Sequence, residues 1–207
     1  MADRYLLKLS GEALSGAKGG MGFDEASVRA VAVQVKEACD NGAQIGMLAT
    51  VMNCLYVSEV FRTEGMKTEV FTAFPCGDIG VVYSKDAVMR AFDEGKVVFF
   101  AGGTGHPYFS TDTTTVLRAV EIEADRILLA KSIDGVYDSD PATDPEAKKF
   151  DRISIDEVYE RRLKVVDLPA TALCLENRMP MTVFSMNEEG SILAAIKGSI
   201  NGTEVTV

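Results

Sequence analysis

The feature that most limits what this chain can become is a set of short, almost wholly apolar runs separated by longer amphipathic ones. "KVVFF" (96–100) and "RILLA" (126–130) carry apolar side chains at consecutive positions. A strand with one wet face alternates polar and apolar residues; a strand covered on both faces does not. Between such runs the spacing becomes helical. Val28, Val31, Val35 and Cys39 recur at i, i+3, i+7 and i+11 within 25–41, the stripe of a helix that faces a core. Strands alternating with helices predict an α/β fold, a central, mostly parallel sheet sandwiched by helices. With 207 residues and no linker or internal repeat, one domain spanning 1–207 is expected.

The local signals set the boundaries. "RYLLKLS" (4–10) reads as a strand stopping at Gly11, and 11–23 as a glycine-rich loop. Asp24 can cap the helix over 25–41, which Asn41-Gly42 ends. "AQIG" (43–46) starts a strand, but from Met47 the pattern is helical as far as Gly65. Four residues is short for a strand and its connection. Further strands are expected at 67–74, 96–100, 126–130, in "MTVFSM" and in "GTEVTV", and helices at 84–95, 112–124 and in "SILAAIKG". The stretch 131–150 holds "DG", "DSDP" and "TDP", all turn signals. "SIDE" (154–157) is a capping box opening a helix to about Arg162, and Pro169 suits the first turn of another, to about Asn177.

Composition narrows the function classes. A net charge of −10 argues against binding a nucleic-acid backbone. It still permits a small phosphorylated ligand held by local dipoles and a few lysines. No apolar run approaches the roughly 18 residues that cross a membrane, and the opening residues lack a signal-peptide core. A cytoplasmic location, with no membrane partner, is the expectation. Cys39, Cys54, Cys76 and Cys174 form no C-x-x-C pair and there is one histidine. Reduced, mostly buried thiols fit better than a zinc site.

In such folds ligands gather where strands end, and four junctions stand out. In "KLSGEA" (8–13), Lys8 offers a compact cation and Gly11 lets backbone amides approach a phosphate; a plain strand end is the alternative. In "AGGTGHPYFSTD" (101–112), glycines precede a helix start at Ser110, Thr111 and Asp112, where free amides favour an anion. Tyr108 and Phe109 there could stack on a flat ring, or be core aromatics beside an ordinary cap. In "SIDGVYDSDP" (132–141), Tyr137 could cover a base and Asp138 or Asp140 serve a ribose or metal, or the stretch is a solvated turn. Asp167 in "KVVDLPA" is either a helix cap or a group that orients a lysine.

Together these stretches resemble the bacterial-type uridylate kinases of the amino acid kinase superfamily. "LLKLSGEAL" (6–14) is similar to that family's first strand and ATP phosphate loop, "MLATVMN" (47–53) to the helix after its second glycine loop, and "AGGTGHPYFSTD" to its UMP loop. "EIEAD" (121–125), "DGVYDSDP" (134–141) and "VVDL" (165–168) follow in the family's order. The resemblance implies transfer of the ATP γ-phosphate to UMP, giving UDP and ADP in pyrimidine nucleotide synthesis, with Mg²⁺. It places Lys8, Leu9, Ser10 and Gly11 on ATP phosphates, and Ser132, Tyr137 and Asp140 on the rest of ATP. It places Gly46 and Thr104, Gly105, His106, Pro107, Tyr108, Phe109, Ser110 and Thr111 at the UMP site. Lys8, Asp112 and Asp167 would be catalytic, Asp167 positioning Lys8. Metal ligands are not specified. A homohexamer with GTP and UTP as effectors is implied as well. A sibling kinase acting on a carboxylate or carbamate, or a catalytically silent nucleotide sensor, are the alternatives.

The resemblance departs in two places. His106 stands where the family often has asparagine. Lys131 and Ser132 fall where family members vary, and either could reach ATP. Between Gly46 and Met47 the family carries a G-G-G-N loop, an F-R-G segment and an acidic residue. A true deletion of that stretch would remove a central strand and part of both nucleotide sites, exposing sheet edges and core, and a chain lacking it is not expected to fold as the family does.

Overall fold

A computed structural model describes residues 3–9, 24–186 and 188–207; the expected glycine-rich loop, with Ser10 and Gly11, lies outside the described residues. Among the described residues nine strands form one sheet. Its first half contains β1 (Arg4–Leu9), β2 (Gln44–Ala49), β3 (Lys67–Thr72), β4 (Val81–Val82) and β5 (Lys96–Ala101). The second half contains β6 (Arg126–Lys131), β9 (Arg152–Ser154), β10 (Met181–Ser185) and β11 (Thr203–Thr206). Two short strands, β7 (Val136–Tyr137) and β8 (Lys149–Phe150), pair separately as an antiparallel ribbon. The sheet order is β4-β3-β5-β2-β1-β6-β10-β11-β9. All neighbours are parallel except β10 and β11.

Among the described residues seven helices flank it: α1 (Glu25–Asp40), α2 (Val51–Thr63), α3 (Lys85–Asp93), α4 (Thr111–Glu121), α5 (Ile155–Glu160), α6 (Leu168–Asn177) and α7 (Ser191–Ile196). The strand period of two divides the core. Leu6 packs with Phe92 of α3, Val116 of α4, Val158 of α5 and Cys174 of α6. Its neighbour Leu7 packs on the opposite face with Val31 of α1, Phe61 of α2 and Ile192 of α7. The three-layer arrangement expected from the alternation is therefore present. Phe61 meets Phe99 edge-on at 5.4 Å between ring centres on one face. Phe100 meets Tyr83 edge-on at 5.9 Å on the other.

The local signals hold well. Asp24 caps α1, accepting from the Ser27 amide at 2.9 Å. Ser154 accepts from the Glu157 amide at 3.1 Å, and Pro169 lies in the first turn of α6. All four cysteines are free thiols; Cys54 and Cys174 are buried, Cys39 and Cys76 half-buried. Strands β4, β7, β8 and β9 are additions to the expectation. They are two or three residues long, below the length at which periodicity has meaning.

The main correction falls at the short connection. Met47, Leu48 and Ala49 are strand, not helix, and α2 begins at Val51 after the single residue Thr50. Methionine, leucine and alanine favour helix locally. Here pairing on both sides decides instead: Gly46–Ala49 lie against Val98–Ala101 of β5, and Leu48 opposite Lys8 of β1. Tertiary context overrides propensity in this way. Among the described residues β2 fills the place between β5 and β1, so no central position of the sheet is empty.

Candidate active site

The site forms along the carboxyl ends of the central strands, where β1 lies between β2 and β6. Lys8 lies near the end of β1, with Leu9 after it. Its half-buried ammonium makes an ion pair with Asp112. Asp112 is placed by the connection from β5 to α4. Gly102 and Gly103 both have left-handed backbone, φ 83° and 67°, which glycine adopts at no steric cost. They turn the chain off the sheet edge. Ser110 then caps α4, its Oγ accepting from the Asp112 and Thr113 amides at 3.1 Å each. The cap fixes the first turn, and the first turn aims Asp112 at β1.

Asp167 enters from α6. It caps that helix by accepting from the Ala170 amide at 3.0 Å, and it accepts from the Thr113 hydroxyl at 3.1 Å. The structure thus joins the starts of α4 and α6. Among the described residues Lys8 pairs with Asp112 rather than Asp167, so the expected link from Asp167 to Lys8 is replaced by one to Thr113. Thr113 was missed in the sequence because "TDTTT" reads as an ordinary helix start.

Two cavities open beside these groups. One, of about 680 Å³, is lined by Asp112, Lys131, Val165, Asp167 and Thr171 among others. The second, of about 490 Å³, is lined by Lys131, Ile133, Tyr137, Asp140 and Val183 among others. Tyr137 donates its hydroxyl proton to Asp134 at 2.7 Å, and Lys149 donates to the same carboxylate at 3.0 Å. Burial would raise the Asp134 carboxyl; the Tyr137 and Lys149 hydrogen bonds and the Lys149 charge outweigh it and hold the carboxyl below the usual range. Asp140 sits in an exposed turn, accepting from the Ala142 amide at 3.0 Å. Ser132 is exposed and lines neither cavity.

The rest of the expected acceptor loop is less enclosed. Thr104 accepts from the His106 amide at 3.1 Å, while His106, Pro107, Tyr108, Phe109 and Thr111 face solvent. Tyr108 is fully exposed with φ 70°, an uncommon backbone for a bulky residue. Gly46 is a correction. It lies within β2, paired with Leu6 and Val98, and a Cβ there would meet the Phe100 ring at 2.9 Å. It is a packing glycine in the core, not part of a ligand surface.

A lysine–carboxylate pair and a capped helix start thus meet at the carboxyl ends of a mostly parallel sheet, the end at which such folds hold their ligands. The chain belongs to the amino acid kinase family, whose profile matches residues 7–185. Within it, the relatives are uridylate kinases. That of Porphyromonas gingivalis is 42% identical, the alignment covering 98% of this chain and 96% of the relative. That of Streptomyces avermitilis is also 42% identical, with 98% and 91% covered. The crystal structure of UMP kinase from Ureaplasma parvum superposes with a TM-score of 0.93 at 26% identity, covering 100% of each chain. The UMP kinase of Bacillus anthracis gives 0.93 and 26% as well, over 99% and 96%. The Porphyromonas alignment spans 231 positions against a chain of 207 residues, so the relative carries residues that have no counterpart here.

Proposed function

We propose that this protein is a UMP kinase that transfers the γ-phosphate of ATP to UMP. The observation that carries the reading is the Lys8–Asp112 pair at the end of β1, set against the Ser110-capped start of α4. Phosphoryl transfer has a loose transition state, so the protein mainly holds two anions in line and neutralises charge. Lys8 supplies the positive charge and Asp112 holds its ammonium in place. Asp167, through Thr113 and the cap of α6, keeps the two helix starts in register. Tyr137 and Asp140 line the cavity that takes the nucleoside of ATP. Thr104 to Thr111 take UMP, with His106 recognising rather than catalysing. The residues present fit Mg²⁺ arriving with ATP, which needs only one or two protein carboxylates; Asp112 and Asp167 line one cavity and would provide them. When bound with ATP, such an ion would neutralise charge on the phosphates.

The residues missing relative to the kinases are, on this reading, those between Gly46 and Met47. Their absence leaves the acceptor loop open and UMP binding weaker than in a chain that has them. We extend the reading to a cytoplasmic homohexamer responsive to GTP and UTP. In its support, no helix among the described residues is long and apolar enough to cross a membrane, and α2 presents Met52 and Leu55 to solvent. The sibling carboxylate or carbamate kinase is not favoured, since curated relatives at 40–42% identity are uridylate kinases. ADP release measured with UMP, CMP, acetylglutamate and carbamate tests the assignment. Turnover that requires UMP supports it. Turnover without UMP overturns it, and UMP binding with no ADP release indicates a nucleotide sensor instead.

A further inference from the structure

The β7–β8 ribbon is small: Val136 stands opposite Phe150, and Tyr137 opposite Lys149. A ribbon of that size does not hold its own shape in water. It nevertheless lines the cavity of about 490 Å³ through Val136 and Tyr137, while Lys131 and Val183 of the sheet line the same cavity. The seating of the ribbon on the sheet therefore sets the shape of the cavity. The Val136 side chain is buried in the core. Apolar burial is non-directional, so it holds the ribbon down without fixing how it lies.

Thr203 supplies the direction. It is the first residue of β11, fully buried, and stands opposite Val183 of β10. Its hydroxyl accepts from the Val136 amide at 2.8 Å and donates to the Phe150 carbonyl. Val136 and Phe150 are partners across the ribbon, so one side chain grips both strands at the same rung. The approach is close: a Cβ on Gly135 would lie 2.6 Å from Thr203 Oγ1. A second fastening lies nearer solvent. Lys149 donates to Asn201, just before β11, at 2.7 Å as well as to Asp134, and Asp134 in turn holds the Tyr137 hydroxyl. Thr203 itself lines neither cavity.

We propose that Thr203 is a positioning residue, whose hydroxyl clasps the β7–β8 ribbon to β11 and so holds the Tyr137 wall at the width a nucleoside needs. It acts through the ribbon and touches no substrate. The inference rests on the kinase reading, in which this cavity takes the nucleoside of ATP.

The competing role is general stability of the fold. Thr203→Val keeps the shape of the side chain but leaves the Val136 amide buried without its partner. Thr203→Ser keeps the hydroxyl. Asn201→Ala, at an exposed position, releases only the Lys149 fastening. ADP and UMP are titrated calorimetrically into the wild type and the three variants, with thermal melting as a control on folding. KM for ATP and kcat are measured by ADP release at saturating UMP. Thr203→Val is expected to weaken ADP binding and raise KM for ATP by about five- to a hundred-fold, the range that one unpaired buried polar group commands. UMP binding and kcat should stay within about two-fold, since the clasp serves one cavity. Thr203→Ser should recover most of the loss, and Asn201→Ala should weaken ADP binding by about two- to ten-fold, the worth of one hydrogen bond. A lowered Tm in Thr203→Val with ADP binding unchanged, or an equal loss for ADP and UMP, overturns the inference alone. If Thr203→Val does not fold, Asn201→Ala decides, and unchanged ADP binding there overturns the inference. Absence of ADP binding in the wild type overturns the kinase reading along with it.

Discussion

Replacing Gly46 with alanine should lower stability and leave substrate affinities alone. The added Cβ would lie 2.9 Å from Phe100 Cε2, 3.1 Å from Leu6 Cδ1 and 3.4 Å from Ile122 Cδ1. The Phe100 ring has little room to retreat. It is buried, edge-on to Tyr83 at 5.9 Å and tilted against Phe71 at 6.4 Å. Overpacking of this kind costs about 1–3 kcal/mol. Removing a glycine from the unfolded chain offsets about 0.4–1 kcal/mol of that. The net loss is about 1–2 kcal/mol, a fall in Tm of about 2–8 °C for a chain of this length. Urea and thermal midpoints, taken at one fixed protein concentration so that assembly does not shift them, measure the loss. KM for UMP is measured on the same preparation. An unchanged Tm with KM for UMP raised several-fold would refute the reasoning, because Gly46 would then line the acceptor site and not the core.

Lys8→Ala should lower kcat by at least ~100-fold, the scale seen on removing one stabiliser of developing charge; a near-normal rate takes Lys8 out of the mechanism. Asp167→Asn should slow turnover with little change in UMP affinity or stability, since asparagine caps helices about as well as aspartate. Asp167→Ala should cost about 1 kcal/mol in addition, through the lost cap; equal stability of the two variants would contradict the capping role. Alkaline pH should destabilise the fold through Cys54 and Cys174, whose thiols burial pushes up to about 12. Thiols in the unfolded chain ionise near about 8.5, so the unfolded state binds fewer protons above that pH. Their contribution is complete below it and is lost as pH rises towards 12. Replacing both with alanine should lower stability overall yet flatten its fall between about pH 9 and 11; a urea-midpoint profile with an unchanged slope would count against this.

The architecture was legible because its signals are local and repeated. "KVVFF" and "RILLA" lack alternation, as strands in the middle of a covered sheet should, and the α1 stripe is spaced for one buried face. Caps were legible for the same reason: Asp24 and Ser154 act on amides three residues away. The site was legible as a list of stretches but not as a set of contacts. Asp112 and Asp167 look alike in sequence, each an acid at a helix start. Only the packing of α4 across the end of β1 gives Lys8 to Asp112, 104 positions along the chain. Likewise Thr113 gains its meaning from a carboxylate 54 positions away. Lys131 and Ser132 could not be told apart in the sequence, because the end of β6 falls between them. Lys131 ends β6 with its ammonium towards Val165, and Ser132 faces solvent.

Met47–Ala49 shows how far a local preference can be overruled, and what that does to the site. These residues would extend α2 backwards if propensity decided. A β2 ending at Gly46 would leave Met47–Ala49 unpaired against Phe99–Ala101, and would leave Lys8 without Leu48 as its neighbour in β2. Unpaired backbone in the middle of a sheet costs more than the few tenths of a kcal/mol per residue, roughly, that separate these residues' helical and extended preferences. The strand therefore lengthens and the helix shortens, until Thr50 alone separates them. Lys8 stays within a continuous sheet, so the charge that phosphate needs is held rigidly. The adjustment falls on the acceptor side, where Tyr108 and Phe109 stand in solvent at the end of β5. On this argument, lengthening the β2–α2 connection should act on KM for UMP and leave ADP affinity nearly unchanged. A loss of ADP affinity in such an insertion variant would mean that the two halves of the site are coupled through β2.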